Sequence, residues 1–199
     1  MTERKGKLSR RTTETQVSLE LNIDGTGRYE VDTGNGMLDH LLAQLSRHGL
    51  IDLSVSARGD DQLGWHHLVE DIGIVLGRAL REAVGDGRGI TRMAHAYVPL
   101  DEALALVVVD FSGRGYAVVD AGVGDSDLGG LPGNLVGHFL ETLAREGGFN
   151  LHVRVLAGSN NHHKAEAIFK ALARALRAAL TLDARRSGDI PSTKGTITG

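Results

Sequence analysis

The sequence contains no cysteine. That excludes a disulfide framework and any thiolate metal site. Long apolar runs are missing as well: none approaches the roughly 18–20 residues of a membrane span. The opening Met1-Thr2-Glu3-Arg4-Lys5 lacks the apolar core of a secretion signal. Excess charge of one sign is also lacking, since a net charge of −3 leaves no electrostatic footprint for nucleic acid or an anionic membrane surface. These absences predict a cytoplasmic protein with neither nucleic-acid nor membrane partners. The 199 residues, 41 % apolar and 24 % charged, suffice for one sizeable core or two small subdomains.

Histidine, by contrast, is abundant: there are nine, and six fall into a pattern. The chain reads W-H-H-L-V-E-D at 65–71 and N-H-H-K-A-E-A at 161–167. Other matches surround these. A shift of 98 aligns His40 with His138, Leu45 with Leu143, Arg47 with Arg145, Gly49 with Gly147 and Val55 with Val153. A shift of 96 aligns the double histidines, Glu70 with Glu166, and Arg78, Leu80 and Arg81 with Arg174, Leu176 and Arg177. A shift of 88 pairs Glu14 with Glu102, Gly25 with Gly113 and Gly27 with Gly115. Shared composition explains matched leucines and alanines, but not matched His, Gly and Glu in one order. The chain reads as an internal duplication, with halves at 1–95 and 96–185 and a tail, 186–199, that completes the site.

Each half has one coarse plan. Residues 15–23 alternate, with Val17, Leu19, Leu21 and Ile23 apolar, and predict a half-buried strand ending at Asp24-Gly25-Thr26-Gly27. Their counterpart, 103–111, is more continuously apolar and ends at Ser112-Gly113-Arg114-Gly115. Helices are predicted over 36–48 and 134–146, with Gly49 and Gly147 as C-cap glycines. Strands follow at 51–55 and 149–156, then the longest helices at 66–84 and 162–180. Strands mixed with two helices per half predict an α+β fold. Its duplicated unit would be a mixed sheet with two helices packed on one face.

On a helix, residues four apart share a face and adjacent residues diverge by about 100°. His66 and Glu70 can therefore grip one ion, and so can His162 and Glu166, while His67 and His163 point elsewhere. The economical arrangement is two metal centres, each taking a His/Glu pair from one repeat and the odd histidine from the other. His40 and His138, early in the preceding helices, then bring each centre to three histidines and a carboxylate. Such a set suits manganese, iron, zinc or nickel, and open positions favour octahedral manganese or iron over a closed structural zinc. A single His–Glu pair could be no more than a surface contact. Six histidines repeating in register favour metal. His48, His95 and His152 have no partner in the repeat and default to surface or local hydrogen-bonding roles.

Unrepeated basic and hydroxyl residues suggest a phosphate. Lys170 continues the stripe His162-Glu166-Lys170 and could pair with that ligand or bind an anionic substrate. Its counterpart by the 96 shift is Ile74. Ser192-Thr193-Lys194-Gly195 offers two hydroxyls, an ammonium and a flexible glycine. Arg92 and Arg114 are also unrepeated. Each alone is more often a solvated surface charge.

At this point the sequence resembles the imidazoleglycerol-phosphate dehydratase family. The resemblance is carried by Arg11-Thr12-Thr13-Glu14-Thr15, Gly36-Met37-Leu38-Asp39-His40, Arg47-His48-Gly49 and His66-His67-Leu68-Val69-Glu70-Asp71. It continues through Pro99-Leu100-Asp101-Glu102-Ala103, Asp110-Phe111-Ser112-Gly113-Arg114, His162-His163 with Glu166, Phe169-Lys170-Ala171, and Pro191-Ser192-Thr193-Lys194-Gly195. The resemblance implies a duplicated α+β unit and the dehydration of imidazole glycerol phosphate to imidazole acetol phosphate in histidine biosynthesis. It implies assemblies of twenty-four subunits, a 24-mer, with two manganese ions (Mn2+) per active site at subunit interfaces. One ion would be held by His40, His67, His162 and Glu166, the other by His66, Glu70, His138 and His163. Arg92, Arg114, Lys170, Ser192 and Lys194 match the family's phosphate contacts, with Thr193 inside the same stretch. Glu14 matches its acid/base and touches substrate. Gly64 and Leu68 depart from the usual Asp and Thr, so Asp60 or Asp61 would have to serve as outer partner of the first histidine pair.

The implied chemistry starts from a weakly acidic C–H. Imidazole bound to manganese as imidazolate would expel the neighbouring hydroxide, after which Glu14 transfers a proton. Two readings from other classes stand beside it. One is an assembly protein whose histidines crosslink subunits; the other is a metal-dependent hydrolase of another phosphorylated heterocycle.

Overall fold

The computed structural model describes residues 4–59, 64–186 and 188–197. The first half runs β1 (Lys5–Arg11), β2 (Thr15–Asn22), β3 (Tyr29–Asp32), α1 (Gly36–Gly49), β4 (Asp52–Gly59) and α2 (His66–Val84). The second repeats it as β5 (Met93–Leu100), β6 (Ala103–Asp110), β7 (Tyr116–Asp120), α3 (Asn134–Gly147), β8 (Asn150–Ala157) and α4 (Asn161–Leu180). The sheet orders are β1-β2-β4-β3 and β5-β6-β8-β7. In each sheet the last pair, β3/β4 or β7/β8, is parallel and the others antiparallel. The fold is therefore α+β and duplicated, with two mixed sheets.

The alternation of β2 explains its place. Val17, Leu19 and Leu21 face Ala57, Val55 and Leu53 of β4 in register, and all six are buried. Each sheet buries that one face against the helices of its own half. The helices also pack across the halves, α1 with α4 and α2 with α3, so they form a layer between the two sheets. A Cβ on Gly77 would come within 2.8 Å of the Leu143 carbonyl, so glycine there sets how closely α2 and α3 approach. Gly73 meets Thr142 and Gly77 meets Glu146, so the two helices run in the same direction. In α1 and α4, His40 lies beside Glu166 and Gly49 beside Ala173, again parallel. The histidine-bearing helix starts are thereby brought together in pairs.

Several expectations need correction. β1, β3, β5 and β7 were absent from the pattern, because edge strands bury little: Gly6, Leu8 and Arg10 are the inward residues of β1. β5 starts at Met93, so a boundary after residue 95 cuts this strand; the break between halves falls in the 85–92 turn. The left-handed cap residues are Leu50 (φ 53°) and Gly148 (φ 68°), one position beyond Gly49 and Gly147. Gly147 is the last helical residue, and a Cβ there would come within 2.6 Å of the Phe149 ring, which accounts for glycine at this position. β4 runs on to Gly59, beyond the expected 51–55. Among the described residues no helix is long and apolar enough to cross a membrane.

Candidate metal centre

The second half-site is built from the start of α4. The Asn160 side chain caps the helix, accepting from the backbone N–H of His162 at 2.9 Å and of His163 at 3.4 Å. This fixes the helical phase, so His162, Glu166 and Lys170 fall on one stripe. Glu166 Oε1 lies 2.9 Å from His162 Nε2 and 3.2 Å from His40 Nε2 of α1. Its Oε2 accepts from Lys170 Nζ at 2.7 Å and Gln44 Nε2 at 3.3 Å. The His40 and His162 rings stack with centroids 6.0 Å apart. Burial pushes the Glu166 carboxyl up, but the Lys170 ammonium and His40 outweigh it and hold the pKa at about 2. The anionic form that a metal ligand would need is thus favoured.

The first half-site joins His66 and Glu70 of α2 to His138 of α3. The rings of His66 and His138 stack at 4.6 Å. His138 Nε2 is 3.7 Å from Glu70 Oε1, buried, and without a hydrogen-bond partner among the described residues. Burial lowers the His138 pKa, which favours the neutral imidazole that a metal requires. An unsatisfied buried ring nitrogen is costly, and a cation shared with Glu70 would satisfy it. In each cluster the three donor atoms lie within 4.8 Å of one another. That is close to the spacing of about 3–4 Å between donors that share one ion. Imidazoles converging on a carboxylate fit a divalent ion such as manganese.

His67 and His163 lie outside both clusters. Each faces a glutamate instead: His67 Nδ1 is 3.4 Å from Glu14 Oε2, and His163 Nδ1 is 2.8 Å from Glu102 Oε2. Glu14 sits in the β1–β2 turn, where the Thr12 hydroxyl accepts the N–H of Glu14 at 3.1 Å and of Thr15 at 2.9 Å. The Thr15 hydroxyl donates to buried Asp71, which also accepts from Arg10 at 2.7 Å. Asp71 therefore fastens the turn of Glu14 to the start of α2. Sequence reasoning assigned no role to Asp71 or Glu102. Asp71 announced itself only as a charge between the apolar Val69 and Ile72. Glu102 announced itself by its match to Glu14 under the 88 shift.

The basic residues divide. Lys170 is committed to Glu166. Arg92, at a left-handed φ of 76°, binds Asp110 at 2.7 and 3.2 Å and donates to the Pro191 carbonyl at 2.7 Å. It anchors the tail instead of presenting a free guanidinium. The tail is further held by buried Ile197, which lines a small cavity with Phe111 and Gly113, next to Arg114. Ser192 Oγ accepts the Lys194 N–H at 3.2 Å. The side chains of Arg114, Thr193 and Lys194 are exposed, with no partner among the described residues. The same cavity is lined by Val84, Gly85 and Gly147, at the C-terminal ends of α2 and α3. Arg92 meets the end of α4 through Ala179. At 1.5 Å per residue, this basic end lies roughly 20 Å along the helices from Glu70 and Glu166.

α2 starts less firmly than α4. Trp65 (φ 71°) follows Gly64 (φ 77°) and makes no side-chain cap. Leu68 is buried in the core. Asp60 and Asp61 lie outside the described residues. His48 hydrogen-bonds locally to Gln44 at 2.9 Å.

A family model described as imidazoleglycerol-phosphate dehydratase matches residues 33–176. The chain is 58 % identical over 197 residues to the imidazoleglycerol-phosphate dehydratase of Dehalococcoides mccartyi, covering 99 % of each. Its fold is similar to the crystal structure of the Staphylococcus aureus dehydratase, with a TM-score of 0.81 and 36 % identity, covering 90 % of this chain and 99 % of that one. The Pyrococcus furiosus structure has the same TM-score of 0.81 at 38 % identity, covering 94 % and 99 %. The chain belongs to the imidazoleglycerol-phosphate dehydratase family.

Proposed function

We propose that this chain removes water from imidazole glycerol phosphate at a pair of manganese ions, with the substrate imidazole bound as imidazolate. The dehydratase activity and its place in histidine biosynthesis follow from family membership. The observation that supports the metal pair is the matched His/His/Glu clusters, one of them with a buried ring nitrogen that no group satisfies among the described residues. His40, His162 and Glu166 would hold one ion, and His66, Glu70 and His138 the other. When bound, the ions act as Lewis acids that lower the ring N–H pKa of the substrate.

The remaining work falls to the chain. Glu14, held in its turn by Thr12, Thr15 and Asp71, moves the proton between the substrate carbon and solvent. Arg114, Ser192, Thr193 and Lys194 bind the phosphate, and Arg92 sets the tail for them. Lys170 keeps Glu166 anionic and engages its Oε2.

One copy is insufficient for this site. The basic end and the clusters are too far apart for one small substrate, and His67 and His163 lie outside the clusters of their own chain. A second copy would supply the missing histidine, and another copy the phosphate grip, as a closed assembly of twenty-four subunits allows. The outer face of the second sheet, with Met93, Tyr97, Val108, Tyr116, Val118 and Leu156 exposed, suits such contacts.

The test is direct. Manganese-loaded protein given imidazole glycerol phosphate should yield imidazole acetol phosphate, and metal-stripped protein should not. No product with two ions bound per chain would overturn the reading.

A further inference from the structure

Glu14 and Glu102 occupy equivalent turns of the two halves, β1–β2 and β5–β6, and each faces the second histidine of its pair. Their surroundings differ. Glu102 Oε1 accepts from the backbone N–H of Ser159 at 3.0 Å and of Asn160 at 2.7 Å. Its Oε2 is left for His163 Nδ1 at 2.8 Å. Asn160, which holds this carboxylate through its backbone, also caps the helix under His162 and His163 through its side chain. One short segment therefore fixes the carboxylate, the helix start and the ring. His163 Nε2 has its nearest carboxylate, Asp101, at 3.8 Å, too far for a hydrogen bond. No donor reaches the Glu14 carboxylate at hydrogen-bond distance among the described residues, and His67 stands off at 3.4 Å.

We propose that Glu102 is the positioning residue for His163: it accepts the Nδ1–H, and so leaves the Nε2 lone pair to the metal. This rests on the two-manganese reading. A ligating imidazole takes its orientation and tautomer from the partner of its other nitrogen. Because both Glu102 oxygens are engaged, it holds a ring still, whereas Glu14, whose carboxylate accepts no hydrogen bond among the described residues, can move a proton. The duplication has thus produced one catalytic and one positioning glutamate from equivalent positions.

Glu102→Gln makes the test sharp. The amide oxygen remains on the Ser159 and Asn160 N–H groups, so the loop keeps its ties. The amide nitrogen then donates to Nδ1 and forces the proton onto Nε2, the wrong tautomer for a ligand. Manganese titration of the full-length protein, read by free-ion electron paramagnetic resonance, should show one of two sites weakened about 10- to 100-fold. The thermal melting of the metal-free protein should be unchanged. In a His163→Ala background the substitution should have no further effect. If the unaltered protein binds two ions and Glu102→Gln binds both as tightly, or if its effect persists in full without His163, the inference is overturned. Nitrogen-15 shifts of the unaltered metal-free protein give a second measurement that needs no variant. They should report His163 protonated at Nδ1, and the opposite tautomer would also overturn it. If the unaltered protein binds no manganese, it is the two-centre reading that fails.

Discussion

The two half-sites carry the same ligand types at equivalent positions, yet they are supported in opposite ways. Around α4, Asn160 caps the helix, Lys170 and Gln44 hold Glu166, and both histidines of the cluster lie within about hydrogen-bonding range of its carboxylate. Around α2, among the described residues, there is no side-chain cap and His138 Nε2 has no hydrogen-bond partner, and Ile74 stands where Lys170 does. One site is held by charge and hydrogen bonds of the chain's own groups. The other is held by packing and leaves a ring nitrogen that a bound ion would satisfy. Duplication supplies equal ligands, and the residues one shell out determine how rigid each site is.

The comparison can be broken most severely at Glu14. Glu14→Gln should lower kcat by about 10²–10⁴-fold, the range for losing a general acid or base. Manganese binding should stay intact, measured as turnover against ion titration. Equal damage to both would make Glu14 a second Glu102. A smaller change comes from Asn160→Ala, which strips the cap that α2 already lacks. Metal-free protein should lose about 1 kcal/mol by chemical denaturation. An unchanged denaturation midpoint would mean that the capped and uncapped starts are equally secure.

The mildest test converts one half-site toward the other. Lys170→Ile removes the ammonium that holds the Glu166 carboxyl at about 2, below its ordinary 4.5. A carboxylate with a depressed folded pKa contributes stability that is present above the unfolded value, near 4.5, and lost as pH falls toward 2. In the variant the folded pKa rises. Its melting temperature should therefore lie below that of the unaltered metal-free protein at neutral pH, with the gap closing as pH falls from 4.5 toward 2. A gap independent of pH would assign the effect of Lys170 to packing instead.

Much of the fold was legible. β2 carries a clear period of two, and the long helices α2 and α4 carry periods of 3.6, because each buries one face; β6 was legible as a continuous apolar run instead. The edge strands were not, since β3 has four residues and β1 turns Gly6 and Arg10 inward. The histidines and glutamates of both clusters stood out by repetition. Arg92 did not reveal that Asp110 and Pro191 would engage it, because one partner lies across the β5–β6 hairpin and the other 99 residues away. Asp71 read as one more helix charge until Arg10 and Thr15 were seen to converge on it.

By itself the sequence determined the kinds of ligand and the local phase. An α-helix sends adjacent histidines in different directions and brings residues four apart together, whatever surrounds it. Tertiary structure alone decided the company they keep. His40 meets Glu166 and His138 meets Glu70 because α1 lies parallel to α4 and α2 to α3, contacts between halves that burial of apolar surface selects and no local rule encodes. It also decided that the basic tail lies at the far end of those helices. Within one chain the parts of the proposed site stand apart, because Pro191 and Ile197 are buried where the helices end.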